Sequence, residues 1–447
     1  MKNIIVIFVF YLFNFSFVSA QTTIDSLGEI NSTAHFQLTV ISQNHFSFKS
    51  LYSGRNSLSN DDEWGATSIT STLFLGKKLW KDAAFYFDPE ISGGEGLSGS
   101  VGVAGALNGE TYRVGSSAPS VFIARAYFQQ QIPLSTSYEN VDDDINQIKG
   151  KAASERIVLS AGKFAISDFF DNNEYSHDPR TQFLNWSLMS DGAWDYPANT
   201  RGYTFGIVAE YFKQNWAFRL SSVAVPSIAN SPKMEYDFSK AHSETFEIEK
   251  KIFVHKMPGT LRFLFSEMFS RAPSYQQGIK ALQSNNNYVL NVISGDTEGK
   301  TYGGKKFTMG FSGDQQLGKS LGIFMRAGWN DGKYATWAFT EIDATASAGI
   351  SINGNKWNRA KDILGIAAVV NGISSDHRNF LKAGGYGFII GDGKLNYAHE
   401  GILEAYYNAL VTNFFSLTLD YQFVNNPAYN KDRGPVNAFA IRGHVSF

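Results

Sequence analysis

The final twelve residues, Val436 to Phe447, constrain the fold more than any other stretch of the chain. Asn437, Phe439, Ile441, Gly443, Val445 and Phe447 share one parity, and Ala438, Ala440, Arg442, His444 and Ser446 share the other. A strand sends successive side chains to opposite faces, so one face of this segment is mostly apolar and the other mostly polar. A terminal amphipathic strand ending on an aromatic residue is what a closed transmembrane β-barrel needs for its last strand.

Composition agrees with a barrel. The chain has 37 Phe, 21 Tyr and 8 Trp, with 41 Gly and only 11 Pro. Aromatic residues favour strands, and glycines suit turns and close backbone approach. The mean hydropathy of -0.20 is that of a chain in which only alternate residues meet lipid. A formal charge of -2 argues against a nucleic-acid partner. With no Cys there are neither disulfides nor thiolate metal sites. At the N-terminus, Lys2, the apolar run Ile4 to Phe17 and the small residues Val18-Ser19-Ala20 predict a signal peptide over 1–20, leaving a barrel domain over 21–447. That run is shorter than the ~20 residues a spanning helix needs.

The alternation predicts an all-β fold, a transmembrane antiparallel barrel of about 16 strands. The expected cores are 34–49, 66–76, 79–90, 119–130, 155–165, 201–213, 215–225, 245–254, 260–270, 305–313, 318–328, 335–350, 362–372, 399–410, 412–423 and 436–447. Tight turns are expected at Lys77-Lys78, Lys213 to Asn215, His255 to Gly259, Gly313 to Gly318 and Val411 to Asn413. Long loops are expected at 50–64, 91–118, 166–200, 226–244, 271–304, 373–398 and 424–435, with a short connection at 329–334. Short turns at one end and long loops at the other are the asymmetry of an outer-membrane barrel. The segment 131–154 breaks this rule, being long at the short-turn end. Trp64, Trp80, Trp194, Trp216 and Trp329 are candidates for interfacial girdles.

Parity also assigns the lumen. On 119–130, Phe122, Ala124, Ala126 and Phe128 point one way, and Arg125, Tyr127 and Gln129 the other. A lipid-facing Arg costs about 2–4 kcal/mol at the bilayer midplane, so Arg125 is expected inside. The same argument places Glu210, Arg219, Arg326, Glu404, Asp420 and Arg442 inside, with Asp88 and Glu90 beside them. Arginines and carboxylates make directional hydrogen bonds to hydroxyls, and aromatic faces stack on sugar rings, so the set suits neutral polyols; the plainer reading is a wet wall that ties strands together. Loop 166–200 is the densest chemical stretch. It offers Asp168, Asp171, His177, Asp178, Arg180, Trp194 and Asp195, followed by Arg201, and is expected to fold inward as a constriction. One His among scattered carboxylates lacks a metal-ligand spacing, so no metal is assigned. The glycine-rich stretch 92–115 lacks the strand-to-helix context of a phosphate loop, and no cofactor is implied.

Ordered motifs then carry a resemblance. They include Asn56-Ser57-Leu58-Ser59, Leu73-Phe74-Leu75-Gly76, Phe87-Asp88-Pro89-Glu90 and Gly162-Lys163-Phe164 running into Asp168-Phe169-Phe170-Asp171. Further on come His177 to Arg180, Gln182-Phe183-Leu184-Asn185-Trp186, Asp195-Tyr196-Pro197-Ala198-Asn199, Gly384-Gly385-Tyr386-Gly387, Gly391-Asp392-Gly393 with Tyr397, Glu404-Ala405-Tyr406-Tyr407, and Asp420-Tyr421-Gln422 with Asn426-Pro427. Over nearly the whole mature chain the sequence resembles the carbohydrate-selective porins of the OprB family. The resemblance implies a 16-stranded barrel in a Gram-negative outer membrane. Mono- and oligosaccharides would cross it by facilitated diffusion, between inward loops and a charged constriction. Residues 226–304 match least. Small carbohydrates and outer-membrane lipid are the partners so implied, and a homo-oligomer is compatible with them. The alternatives are a general diffusion porin of the same fold, a sugar-binding surface protein, or a barrel enzyme. The last lacks a recognisable triad, since Ser176, His177 and Asp178 are merely adjacent.

Overall fold

A computed structural model describes residues 31–111 and 118–447; the expected signal peptide, 1–20, lies outside the described residues. Twenty strands are present among them. The first seven are β1 (Ser32–His45), β2 (Glu63–Trp80), β3 (Ala83–Gly94), β4 (Ser120–Pro133), β5 (Tyr138–Val141), β6 (Gly150–Ala153) and β7 (Glu155–Phe164). Next come β8 (Thr204–Lys213), β9 (Trp216–Val223), β10 (Val225–Pro226), β11 (Met234–Glu235), β12 (His242–Val254), β13 (Met257–Ser270) and β14 (Gly304–Gln316). The last six are β15 (Leu321–Asn330), β16 (Ala344–Gly354), β17 (Arg359–Gly372), β18 (Glu400–Leu410), β19 (Phe415–Asn425) and β20 (Val436–Ser446). Sixteen of them close an antiparallel barrel, while β5–β6 and β10–β11 form separate two-stranded sheets. The α-helices lie in loops: α1 (Trp186–Met189), α2 (Tyr275–Gln283), α3 (Asn287–Ile293) and α4 (Ser375–Lys382). No described helix is long and apolar enough to cross a membrane.

Closure removes every edge from the sheet, so each strand's backbone is paired within the wall. The seam is β1 against β20, with Leu38 opposite Val445 and Val40 opposite Gly443. Phe447 extends this pairing, since Phe36 N–H donates to its carbonyl at 2.8 Å and the two rings lie 5.2 Å apart. Alternation does the rest. Phe205, Ile207, Leu220, Met325, Leu419, Phe439 and Ile441 are exposed on the outer face, while Arg219, Arg326, Asp420 and Arg442 are buried inside. Trp64 and Trp329 stand exposed at the end with long loops, and Trp80 and Trp216 at the end with short turns. Such rings suit the two membrane interfaces. Trp194 differs from the girdle expectation: it is 1% exposed and packs on Phe170 and Tyr196 among the inward loops.

All sixteen expected barrel strands are present, and the differences have local causes. Lys77 and Lys78 do not turn, because they pair with β1 and β3; the turn is Lys81-Asp82, where Asp82 takes a φ of 61°, tolerable for Asp. The strand expected at 335–350 begins at Ala344, and the connection expected to be short runs from 331 to 343. Its apolar residues look strand-like, but the N–H groups of Trp337, Ala338 and Phe339 donate to the Asp195 carboxylate instead of to a neighbouring strand. The parity expected on β4 fails above Ala126. The register shifts so that Asp88 faces Arg125 while Pro89 faces Ile123, and the extra residue Ala124 turns inward together with Phe122. A bulge places two residues against one and re-aims the side chains around it.

The space inside the loop end is filled. Trp186, Trp194, Tyr196, Trp337, Phe339, Phe380, Phe388 and Tyr429, from four different loops, join one apolar cluster that also includes wall residues such as Val208 and Leu264. At the turn end, the long segment after β4 forms the hairpin β5–β6, and its bend carries Asn146 inward to donate to Asp88 at 3.0 Å.

Candidate pore and constriction loop

On one side of the barrel the inward charges meet each other. Glu210 of β8 lies opposite Arg219 of β9, which lies opposite Glu247 of β12. Arg219 Nε donates to Glu210 at 3.0 Å, and its Nη1 donates to Glu247 at 2.9 Å and Glu249 at 3.0 Å. Arg262 of β13 continues the ladder, donating to Glu249 at 3.1 Å and to Asp314 of β14 at 2.7 Å. Each arginine sits between carboxylates on neighbouring strands, the arrangement in which a buried charge is tolerable.

On the other side the inward charges hold loops. Arg326 of β15 is buried and donates to the Asp171 carboxylate at 2.8 Å and to the carbonyls of Leu188 at 2.7 Å and Ser176 at 2.6 Å. Arg442 of β20 donates to the carbonyls of Pro179 at 2.6 Å and Gln182 at 2.8 Å. Glu404 of β18 accepts the N–H groups of Leu184 at 2.5 Å and Asn185 at 3.0 Å. Asp420 of β19 lies beside Glu404 and accepts from Gln422 at 3.4 Å. Glu400 accepts from Ala104, Gly105 and Ala428, fixing two further loops. Asp195 itself accepts from Lys306 Nζ at 3.0 Å as well as from the three N–H groups of the 331–343 loop. Loop 165–203 is thus drawn into the barrel by backbone groups bonded to wall charges.

Between these regions, near β1 to β4, lies a cluster whose cations keep some contact with solvent. Arg180, 13% exposed, donates to Gln37 at 2.9 Å, to Thr72 and Glu90 at 3.2 Å each, and to Glu110 at 3.1 Å. Burial works against its charge, but Glu110 and Glu90 outweigh burial and hold its pKa above the ordinary arginine value. Glu90 also accepts from Tyr203 OH at 3.0 Å. Arg125 clamps Asp168 through two bonds of 2.6 Å and lies 3.5 Å from Asp88, the carboxylate that Asn146 reaches from the turn end. Tyr127 stands next to it, tilted against Tyr86 at 5.1 Å and edge-on to Phe164 and Phe169. Asp178 accepts from Arg180 N–H at 3.0 Å and Thr181 hydroxyl at 2.8 Å; burial alone would raise its pKa, but the Arg180 charge and these bonds hold it below the usual value. Burial, then the Arg326 charge, pushes the His177 imidazole down. Arg201 lies outside this cluster, donating to Ser120 at 3.0 Å with its guanidinium 4.1 Å from the Phe122 ring centre.

The structure therefore brings together Arg125, Asp168, Asp88, Glu90 and Arg180, and separately Glu210 with Arg219. It sets Arg326, Glu404 and Arg442 behind the loop they anchor, and Trp194 and Asp195 deeper in the packed loops. Sequence reasoning missed Glu247, Glu249, Arg262, Asp314 and Glu400. Parity was a usable signal for these, since Glu247 and Glu249 alternate with Phe246 and Ile248. Glu110 and Asn146 sit on irregular backbone, where no periodicity points to them.

A family model described as carbohydrate-selective porin, OprB family, matches residues 66–447. Among solved structures, a high-pH structure of Pseudomonas putida OprB is similar, with a TM-score of 0.67 at 14% identity, covering 93% of this chain and 94% of that one. The outer-membrane channel DcaP of Acinetobacter baumannii gives a TM-score of 0.48 at 9% identity, covering 95% and 99%. The trimer form of Vibrio cholerae OmpT gives 0.47 at 10% identity, covering 93% and 100%. No curated protein sequence matches the chain.

Proposed function

The chain belongs to the OprB family of carbohydrate-selective porins, and from that premise we propose that it carries neutral mono- and oligosaccharides across the outer membrane by facilitated diffusion. It is an outer-membrane porin, a channel rather than an enzyme. The observation that supports sugars as its cargo is the cluster around Arg125 and Arg180. Two fixed guanidinium groups and several carboxylates lie beside aromatic rings, with part of the polar surface still wet. Hydroxyl groups can exchange with water at such a wall without leaving a charge uncompensated, and staggered weak sites favour entry while allowing exit. Export with removal of residues 1–20 is part of this reading; mass spectrometry of outer-membrane protein beginning at Gln21 is the expected result.

The test is liposome swelling with a panel of neutral sugars and non-sugar solutes of matched size. Sugars are expected to enter faster and to saturate. Equal, unsaturable rates for both classes would make the protein a general diffusion porin. Arg125→Ala is expected to change sugar rates several-fold while the protein still migrates as a folded barrel; unchanged rates for every sugar would remove Arg125 from the path.

A further inference from the structure

The loop between β13 and β14 carries α2 and α3, and with Tyr334 of the 331–343 loop these enclose a cavity of about 420 Å³. Its lining includes Arg271, just after β13, and Gly304, the first residue of β14. It lies at the loop end of the barrel, apart from the Arg125 and Arg180 cluster. Its volume falls within the range of ~300–1,000 Å³ typical of small-molecule sites. Its lining is amphipathic: Tyr288, Tyr302, Tyr334 and Val289 stand beside Gln277 and Thr301.

Arg271, the charged residue of the lining, is paired with carboxylates. Arg271 donates to Glu235 at 2.5 Å and to Glu298 at 2.6 Å, and Lys233 donates to Glu298 at 2.6 Å. The Arg271 charge is thus answered by carboxylates behind the lining, while Lys300 lies 5.3 Å from the ring centre of Tyr288. Arg271 also donates to Tyr302 OH and lies against its ring, which fixes that side chain. The polar groups that reach the cavity are on the exposed lining residues Gln277, with its side-chain amide, and Thr301, with its hydroxyl.

We propose that this cavity is an outer docking subsite for one ring of a neutral sugar. A sugar hydroxyl would bond to the Gln277 side-chain amide, and the C–H face of the ring would lie on the tyrosine and valine surface. The proposal rests on the sugar-porin reading and deepens it: a solute held at the outer mouth would raise the local concentration delivered to the constriction.

The chain has no cysteine, so Thr301→Cys supplies a single thiol on the cavity wall at an exposed position. The rate of maleimide labelling is measured on the purified barrel in detergent, with maltotriose, with glutamate at equal concentration, and with neither. Labelling is expected to slow at least threefold with maltotriose and to be unaffected by glutamate. Thiol placed at the remote turn by Lys319→Cys is expected to label at the same rate throughout. Labelling at 301 that ignores maltotriose, or that slows equally with glutamate, would overturn the proposal. Tyr288→Ala in the Thr301→Cys background should abolish the protection, and its persistence would also count against the site. Because labelling does not depend on flux, protection at 301 in a barrel with unselective swelling rates would discard the sugar-porin reading and keep the docking site.

Discussion

On the wall formed by β8, β9, β12, β13 and β14, buried charges meet each other; on β15, β18 and β20 they meet the backbone of a loop. Both walls derive from the same sequence rule, charged residues placed at inward parity. They differ in what lies opposite. Where the neighbouring strand offers an opposite charge, as Arg219 finds Glu210, Glu247 and Glu249, the charge is neutralised within the wall and the barrel is tied strand to strand. Where it does not, the charge is satisfied by carbonyls or N–H groups of loop 165–203, as for Arg326, Glu404 and Arg442, and the loop is held inside. Asp171 joins the two systems: its carboxylate takes Arg326, while its N–H donates to Glu247 at 2.8 Å. One wall therefore sets the stiffness of the barrel, and the other sets the position of the constriction.

Arg326→Ala should break this division most clearly. It leaves the Asp171 carboxylate and several carbonyls buried without their donor, and removing one partner of a buried pair costs about 3–5 kcal/mol. Loop 165–203 is expected to loosen, so the thermal unfolding midpoint should fall and single-channel conductance should rise. A lower midpoint with native conductance would mean that the loop keeps its place without Arg326. Glu404→Ala comes next. It strands the N–H groups of Leu184 and Asn185, each worth about 1–3 kcal/mol when left buried and unpaired, and should raise conductance in the same direction. Arg262→Met tests the opposite wall. Glu249 keeps Arg219 and the methionine fills the stem, but the buried Asp314 loses its donor, so the loss is expected to be on the order of 3 kcal/mol with conductance within twofold of native. A large conductance change in Arg262→Met would show that the ladder also positions the loop.

The division explains what could be read from the residues. Strand positions and lumen parity follow from alternation, because one face must meet lipid, and the sixteen strands stand where Phe, Leu and Ile alternate with polar residues. Parity says which way Arg326 and Arg219 point but not what each will find there, since their partners come from residues distant in sequence: Asp171 is 155 positions from Arg326. The 331–343 loop shows the same limit from the other side. Its strand-like composition was overridden by three N–H bonds to Asp195, a contact made across more than 140 residues. On β4, a single bulged residue was enough to turn Phe122 and Ala124 to the face expected for Arg125.

The smallest effect sharpens the comparison at the point where the walls meet. Asp191 lies against Gly310 and Gly328, which pair across β14 and β15, and a Cβ on Gly328 would come within 1.9 Å of its Oδ1. Its N–H donates to Asp171 at 2.7 Å, and its Oδ1 accepts from Ala193 at 3.0 Å. Its Oδ2 is buried with no partner among the described residues. Burial, then the Asp171 charge, pushes the Asp191 carboxyl up to about 7, with Ala193 N–H and Arg326 pulling the other way. In the unfolded chain the same group titrates near 3.8. The folded barrel therefore keeps a proton that the unfolded chain releases between these values. The stability this group allows is complete below about pH 4 and is lost as pH rises toward 7. Asp191→Asn stays neutral throughout and still fits between the two glycines. Thermal unfolding followed from pH 4 to 8 should show the native midpoint declining relative to the variant over that window. Conductance should differ between the two proteins only near neutral pH, where the ionised carboxylate repels Asp171 and weakens its hold on Arg326. Parallel pH profiles would mean that Asp191 is already ionised in the fold and that water, not the loop, satisfies its outer oxygen.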